Sequence, residues 1–273
     1  MNIDTLLLFI SVLIIVSIII AKISNNIGVP IMLLFIGVGM MAGSEGPGNI
    51  YFDDAELTQN IGIIALVFIL FSGGLDTKWK HVKHILKPAI SLSTLGVLIT
   101  TISIGAFVHY IFDIDWLVGL LLGAVVSSTD AAAVFSIIST RNINLKGGIK
   151  PLLELESGTN DPMAVFLTIS LIELITIKEF SIWSLTIDFV LEMGVGLAAG
   201  LLLGKLYVLL INKIRFPIEG FYTVFTLAFA MFIYSLTTSL QGSGFLAVYV
   251  GGLMVSNNDI VHKKSIFRFF DGI

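Results

Sequence analysis

The chain has 273 residues and a formal net charge of −4; 56% of its residues are hydrophobic and 12% are charged. Soluble domains carry about 25% charged residues, so this composition excludes a soluble globular domain and predicts a polytopic membrane protein. Cysteine is absent, which also excludes disulfides and thiolate metal sites.

Nine apolar segments are predicted to cross the membrane, a crossing of about 30 Å that takes roughly 17–25 helical residues. The second segment is short and rich in glycine. In chain order the segments are Thr5–Ile23, Val29–Ala42, Asn60–Leu75, Ala89–Tyr110, Trp116–Ser139, Leu152–Ile177, Leu185–Ile211, Phe221–Ser239 and Gly244–Ser256. The sequence therefore predicts an all-α, polytopic membrane helical bundle.

Basic residues concentrate in alternate connections between these spans. Of the 15 Lys and Arg, all but Lys178 lie near the end of an odd-numbered span or in the connection after it, for example Lys78 and Lys80 after the third span and Arg141 and Lys146 after the fifth. Cytoplasmic loops of membrane proteins are enriched in Lys and Arg. We therefore predict that the N-terminus faces outward and that the C-terminal end of the chain lies in the cytoplasm.

The sixth span contains an unusually polar stretch, E-L-E-S-G-T-N-D-P, from Glu154 to Pro162. An ionised side chain near the bilayer centre costs about 2.5–3.5 kcal/mol or more, so such groups usually face a partner, a wet cavity or a transported ion. Helical spacing places Glu154, Ser157 and Asp161 on one face. We interpret Asp161 as a cation and proton site.

The residues beside Asp161 suit this interpretation. Ser157 lies one turn away, and Pro162 has no N–H to pair with the carbonyl of Gly158. Hard alkali cations prefer such carboxylate, hydroxyl and carbonyl oxygens. Because burial disfavours a charged carboxylate, a proton would compete with the cation. This competition is the minimum requirement for antiport.

The fifth span contains a second polar cluster, the run Ser127 to Asp130, which is followed by three alanines, Ala131–Ala133. Hydroxyl side chains can satisfy backbone groups where a helix is interrupted, and transporters build ion sites from interrupted helices. Asp130 and Glu156 are equally compatible with a structural role, because intramembrane acids often pair with neighbours.

These two clusters, Ser127–Asp130 and Glu156–Pro162, resemble the monovalent cation/proton antiporter superfamily, specifically its NhaP-type sodium or potassium/proton exchangers. The Asn160-Asp161 pair in the sixth helix is the specific element of the resemblance. It implies an inverted-repeat fold with an interrupted helix in the core, and an elevator-like carrier that forms a homodimer.

The resemblance also implies roles for single residues. Asp161 would bind the ion and the proton, Ser157 and Thr129 would be further ligands of the alkali cation, and Asp130 would assist. Asn160 would replace a second titrating acid, which is consistent with electroneutral exchange.

Glu156 would pair with an Arg on a late helix. The chain has no such Arg, so we expect it to be an incomplete exchanger, truncated after the ninth helix. The 273 residues would form one transmembrane domain. Residues 1–87 and 185–273 would belong mainly to the dimerisation scaffold, and residues 88–184 to the first half of the ion-binding core.

The function predicted from sequence is Na⁺ or K⁺/proton antiport across a bacterial-type inner membrane. The expected substrates are the cation and the proton, and neither a cofactor nor a nucleic-acid partner is expected. An ion channel, another solute carrier or a fragment without transport activity remain alternatives. An intramembrane hydrolase using Ser243 is disfavoured, because the four histidines lie in or near loops.

Overall fold

A computed structural model describes residues 3–27, 31–130, 134, 148–176, 182–270 and 272. Within these ranges the chain forms helices and connecting turns, and its β-type pairing is a single isolated bridge between Gly43 and Ile50. The prediction of an all-α fold is confirmed. Ala131–Ala133, Arg141, Lys146 and Lys178 lie outside the described residues.

The chain divides into two compact units, which are named here the first unit (residues 1–58 and 130–146) and the second unit (residues 59–129 and 147–273). In the first unit, α1 (Ile3–Ile27) packs against α2 (Ile31–Ala42). The loop after α2 folds back on the helix end, because the N–H of Gly48 donates to the carbonyl of Met41 at 2.8 Å.

The second unit contains most of the described helices. Helix α3 starts in the first unit and continues into the second. The helices are α3 (Ala55–Asp76), α4 (Trp79–Val82), α5 (Leu86–Ser91), α6 (Val97–Phe112), α7 (Trp116–Val125), α8 (Ile149–Thr176), α9 (Ile182–Lys213), α10 (Gly220–Ser239), α11 (Gly244–Ser256) and α12 (Lys263–Phe270), with a π-helical segment, Leu92–Gly96, between α5 and α6.

The predicted spans correspond to these helices. Within the described ranges, four helices are long and apolar enough to cross a membrane, namely Ala55–Asp76, Leu86–Phe112, Trp183–Lys213 and Gly220–Ser239. Shorter apolar helices include Trp116–Val125 and Gly244–Ser256. Helix α8 has 28 residues, but the stretch Glu154–Pro162 interrupts its apolar sequence.

The fifth predicted span, Trp116–Ser139, is not one continuous helix. Helix α7 begins with its N-cap at Asp115, whose side chain accepts from the N–H of Leu117, and ends after 10 residues at Val125. Residues 126–130 are not helical. The side chain of Ser127 donates to the carbonyl of Ala124 at 2.7 Å, so a hydroxyl satisfies a backbone group at the helix end.

Glycines bring α9 and α11 into close contact. A Cβ atom on Gly200 would lie 2.7 Å from the carbonyl oxygen of Ala247, and one on Gly204 would lie 3.1 Å from the Cα of Gly251. Gly194 has nothing within 4 Å. Gly200 and Gly204, in the seventh predicted span, therefore pack helices together within the chain, as small residues do at membrane helix interfaces.

Ser243, the residue considered as a hydrolase nucleophile, has a structural role. It is buried and is the N-cap of α11, where its hydroxyl oxygen accepts from the N–H of Leu246 at 3.3 Å. Such capping is a common use of serine at a helix start.

Helix α8 lies among the other helices of the second unit. It packs against α7, α5, the π-helical segment and α11. The apolar core beside it includes the fully buried side chains of Phe71, Tyr249 and Ile233. This arrangement places the polar stretch of α8 next to the non-helical residues that follow α7.

Candidate cation site

Asp161 is held by the segment that follows α7. The hydroxyl of Ser128 donates a hydrogen bond to Oδ1 of Asp161. Ser128 is exposed, and Asp161 is partly buried on α8. The carboxylate therefore lies beside the segment that follows the end of α7, next to a hydroxyl oxygen.

The main chain of this segment also contacts α8. The hydroxyl of Ser157 donates to the backbone carbonyl oxygen of Thr129 at 2.8 Å. This carbonyl lies outside helix α7. Ser157 and Asp161, four residues apart on α8, thus both contact the run Ser128-Thr129.

The side chain of Thr129 belongs to a second set of contacts. Its hydroxyl lies 3.1 Å from Oε2 of Glu156, to which it donates, and accepts from Nδ2 of Asn160 at 2.5 Å. The same Asn160 amide lies 3.0 Å from Oε1 of Glu156. Glu156, Asn160 and Thr129 therefore form one hydrogen-bonded network directly beside Asp161.

Asn160 is fully buried in this network. Its exposed fraction is 0%, and its Oδ1 atom has no hydrogen-bond partner among the residues that the structure describes. The two amide hydrogens donate to Thr129 and Glu156, so the side chain orients a carboxylate without carrying charge itself.

Gly158, one turn before Asp161 on α8, packs against an aromatic ring. A Cβ atom on Gly158 would lie 2.8 Å from ring atoms of Tyr249, which is 1% exposed. The Tyr249 hydroxyl is 2.9 Å from Oγ1 of Thr77 on the other side of the ring. Gly158 is required here because any side chain would overlap the ring.

Two further predicted acids have other surroundings. Glu154 pairs with Lys150 one turn away, at 3.7 Å between Oε1 and Nζ, so it lies at a solvated helix end. Asp130 belongs to the first unit, where it is exposed and its carbonyl accepts from the N–H of Val134 at 3.4 Å.

The structure thus brings Asp161, Ser157, Thr129, Asn160 and Glu156 close together, and their roles in ion binding stay a prediction. Among the described residues, the donors to Glu156 are the neutral side chains of Thr129 and Asn160. Sequence reasoning missed Ser128 and Tyr249. The only signal for Ser128 was its place in the hydroxyl run; Tyr249 gave none, because an aromatic residue in an apolar span is ordinary.

The donor set is composed of oxygen atoms. Carboxylate, hydroxyl and carbonyl oxygens come from Asp161, Ser157, Ser128 and the main chain of Thr129. Among the described residues, no three His, Asp or Glu side chains cluster as they would around a transition metal. A hard monovalent cation and a proton are the species that this chemistry suits.

An acid beside a helix end, inside an all-helical fold with membrane-length apolar helices, is typical of a polytopic secondary transporter. Comparison with known families identifies the particular family of transporters. The model of the sodium/hydrogen exchanger transmembrane family matches residues 11–273, and the chain belongs to this family. An exchanger is a transporter and not an enzyme.

Relatives of the chain carry antiporter names. It is 42% identical over 271 residues to the K(+)/H(+) antiporter NhaP of Alkalimonas amylolytica, and 41% identical over 260 residues to the K(+)/H(+) antiporter NhaP2 of Shewanella sp. (strain ANA-3). These matches cover 99% and 94% of the chain but 47% and 45% of the relatives. The chain therefore spans about half the length of these proteins.

Two archaeal proteins are also similar. The chain is 34% identical over 275 residues to the probable Na(+)/H(+) antiporter 2 of Methanocaldococcus jannaschii, of which it covers 63%. The solved structure of the sodium proton antiporter MjNhaP1 from the same organism superimposes with a TM-score of 0.84 at 26% identity, over 100% of this chain and 67% of that one. The predicted NhaP-type resemblance is confirmed.

Proposed function

We propose that the chain forms part of an electroneutral Na⁺ or K⁺/proton antiporter in which the cation and the proton compete for Asp161. The observation that carries this proposal is the contact between Asp161 and the non-helical segment after α7, where Ser128 donates to the carboxylate. The antiporter names of the relatives support it, and they include both cations.

The cation would replace hydrogen bonds that the site residues make to one another. Ser128 would turn its hydroxyl oxygen from Asp161 to the ion, and Ser157 would release the Thr129 carbonyl, which accepts its hydroxyl proton at 2.8 Å. When the cation leaves, a proton on Asp161 would take its place and neutralise the carboxylate.

Electroneutral exchange follows from the neutral neighbour of Asp161. Asn160 is an amide and does not titrate, and Glu156 is held by donors from Thr129 and Asn160. One titrating acid at the site would exchange one monovalent cation for one proton. Asp130 would assist this exchange from the segment after α7.

The decisive test is cation-driven proton movement in liposomes that contain the reconstituted full-length protein. We expect Asp161→Asn to abolish exchange driven by either Na⁺ or K⁺, because the amide can neither bind a proton nor balance the cation. Glu154→Gln is the matched control; it removes one carboxylate from the same helix and is expected to retain exchange.

Full exchange by Asp161→Asn would reject the proposed site. Cation flux that proceeds without opposite proton movement would instead identify a channel. Equal loss in both variants, with both proteins folded, would also contradict a specific role for Asp161.

The proposed location is a bacterial-type inner membrane, with a homodimer as the assembly and the N-terminus outside. Orientation is simple to test because the chain has no cysteine. In intact cells, a membrane-impermeant maleimide should label Asp53→Cys and should label Lys80→Cys only after permeabilisation. The reverse pattern would invert the topology.

A further inference from the structure

A cavity of about 630 Å³ lies where α3, α11 and α12 meet. It is bounded by the C-terminal ends of α3 and α11 and by the polar face of α12. Its charged lining residues are Asp76, Lys78, Lys263, Lys264 and Arg268. All of them belong to the second unit, and none is part of the candidate cation site.

The lining has four cationic side chains and one carboxylate. In the described part of the chain, no ion pair involves Lys78, Lys264 or Arg268. Lys264 and Arg268 are four residues apart on α12, a helix without an acidic residue. Like charges at this spacing destabilise a helix, so a bound anion would relieve repulsion between them.

Lys263 is fixed by the end of α11. Its ammonium group donates to the carbonyl oxygens of Ser256 at 2.6 Å and Asn258 at 2.9 Å. An ammonium group has three hydrogen-bond donors. Capping a helix end therefore explains Lys263, but it does not account for the exposed side chains of Lys78, Lys264 and Arg268.

Helix α12 is anchored so that these charges have a defined position. Its apolar residues Ile266 and Phe270 are buried, and the Phe270 ring lies 5.2 Å from that of Phe71 on α3. Lys264 and Arg268 point away from this core and are exposed. The cavity wall also includes the apolar side chain of Phe267.

We propose that this cavity binds the phosphate headgroup of an anionic phospholipid. Arg and Lys are the usual partners of phosphate oxygens, and Arg can bind two of them at once. The distribution of basic residues predicts that this end faces the cytoplasm, where anionic headgroups attract clustered basic residues. Phe267 would contact the apolar part of the lipid next to its headgroup.

The test is native mass spectrometry of the delipidated full-length protein, titrated with phosphatidylglycerol or with phosphatidylcholine. We expect phosphatidylglycerol to bind about tenfold more tightly, which corresponds to about 1.4 kcal/mol. The double variant Lys264→Gln/Arg268→Gln should lose most of this preference. Because both side chains are exposed, folding should be unaffected, and thermal unfolding checks this.

The matched control is Lys80→Gln/Lys83→Gln, which removes two exposed charges from the same end of the chain outside the cavity. It should keep the lipid preference of the unmodified protein. If both double variants lost the lipid preference equally, the preference would come from diffuse surface charge, and the proposal would be overturned. A full lipid preference in Lys264→Gln/Arg268→Gln would overturn it as well.

Inorganic phosphate distinguishes the two sources of the same chemical group. A lipid site predicts that millimolar inorganic phosphate leaves most phosphatidylglycerol bound. Complete displacement by inorganic phosphate would assign the cavity to a free phosphate compound and overturn the lipid assignment. Absence of any phosphatidylglycerol preference in the full-length protein would also overturn it.

Discussion

The pair α9–α11 and the pair α7–α8 both bring backbones together through small or hydroxyl residues, but with different consequences. Between α9 and α11, Gly200 and Gly204 allow close contact while both helices keep their regular hydrogen bonds. At α7, the helix ends at Val125, and the carbonyl of Thr129 accepts from the Ser157 side chain. The α9–α11 contact is a fixed packing contact. At α7–α8, by contrast, side-chain and backbone oxygens make hydrogen bonds that a bound ion could replace.

The largest effect on stability is expected at the contact between α9 and α11. Gly200→Leu should destabilise the protein by about 3 kcal/mol or more, because even its Cβ atom would lie 2.7 Å from the carbonyl of Ala247. The measurement is the thermal unfolding midpoint in detergent. Gly194→Leu is the control on the same helix, since this glycine is exposed and has nothing within 4 Å. Equal midpoints would contradict the close contact.

An intermediate effect is expected from the side chain of Thr129. Thr129→Val keeps the shape and the backbone carbonyl but removes the hydroxyl that contacts Glu156 and Asn160. We expect a loss of about 1–2 kcal/mol in stability, because polar groups are left without a partner. Half-saturating cation concentration should stay unchanged in transport assays. A large rise would show that the hydroxyl itself is a cation ligand.

The smallest effect on stability, with a specific effect on binding, is expected at Ser128. Ser128→Ala removes the donor to Asp161. It should raise the half-saturating cation concentration about threefold to tenfold, a loss of about 1 kcal/mol in binding free energy. Ser103→Ala on α6 is an exposed control with the same chemical change. Identical cation affinities in both variants would remove Ser128 from the site.

Much of the helix content follows from the sequence, because membrane spans have long apolar runs. The ninth span was predicted with the bounds that α11 has, Gly244–Ser256. The fifth was predicted to reach Ser139, whereas α7 ends at Val125. The polar run Ser127–Asp130 begins here, but apolar residues follow it, so the run by itself does not fix the helix end, which depends on capping by Ser127 and on contacts with α8.

The same distinction applies to the site. Helical spacing correctly placed Ser157 and Asp161 together, because both lie on α8. It could not show that Ser128 would face Asp161 while the Thr129 side chain turns to Glu156. That arrangement depends on how a non-helical segment lies across another helix, which no periodicity in the sequence encodes. The division into scaffold and ion-binding core stays a prediction.

The contact between Gly158 and Tyr249 has a mechanical consequence. The ring is held by Thr77 through its hydroxyl, and α8 presents only backbone atoms to it at Gly158. In an elevator-type cycle, α8 would move past this ring, and the absence of a side chain at position 158 would leave room for that movement. A methyl group at position 158 would overlap the ring and block the movement, even in a protein whose ion ligands were all intact.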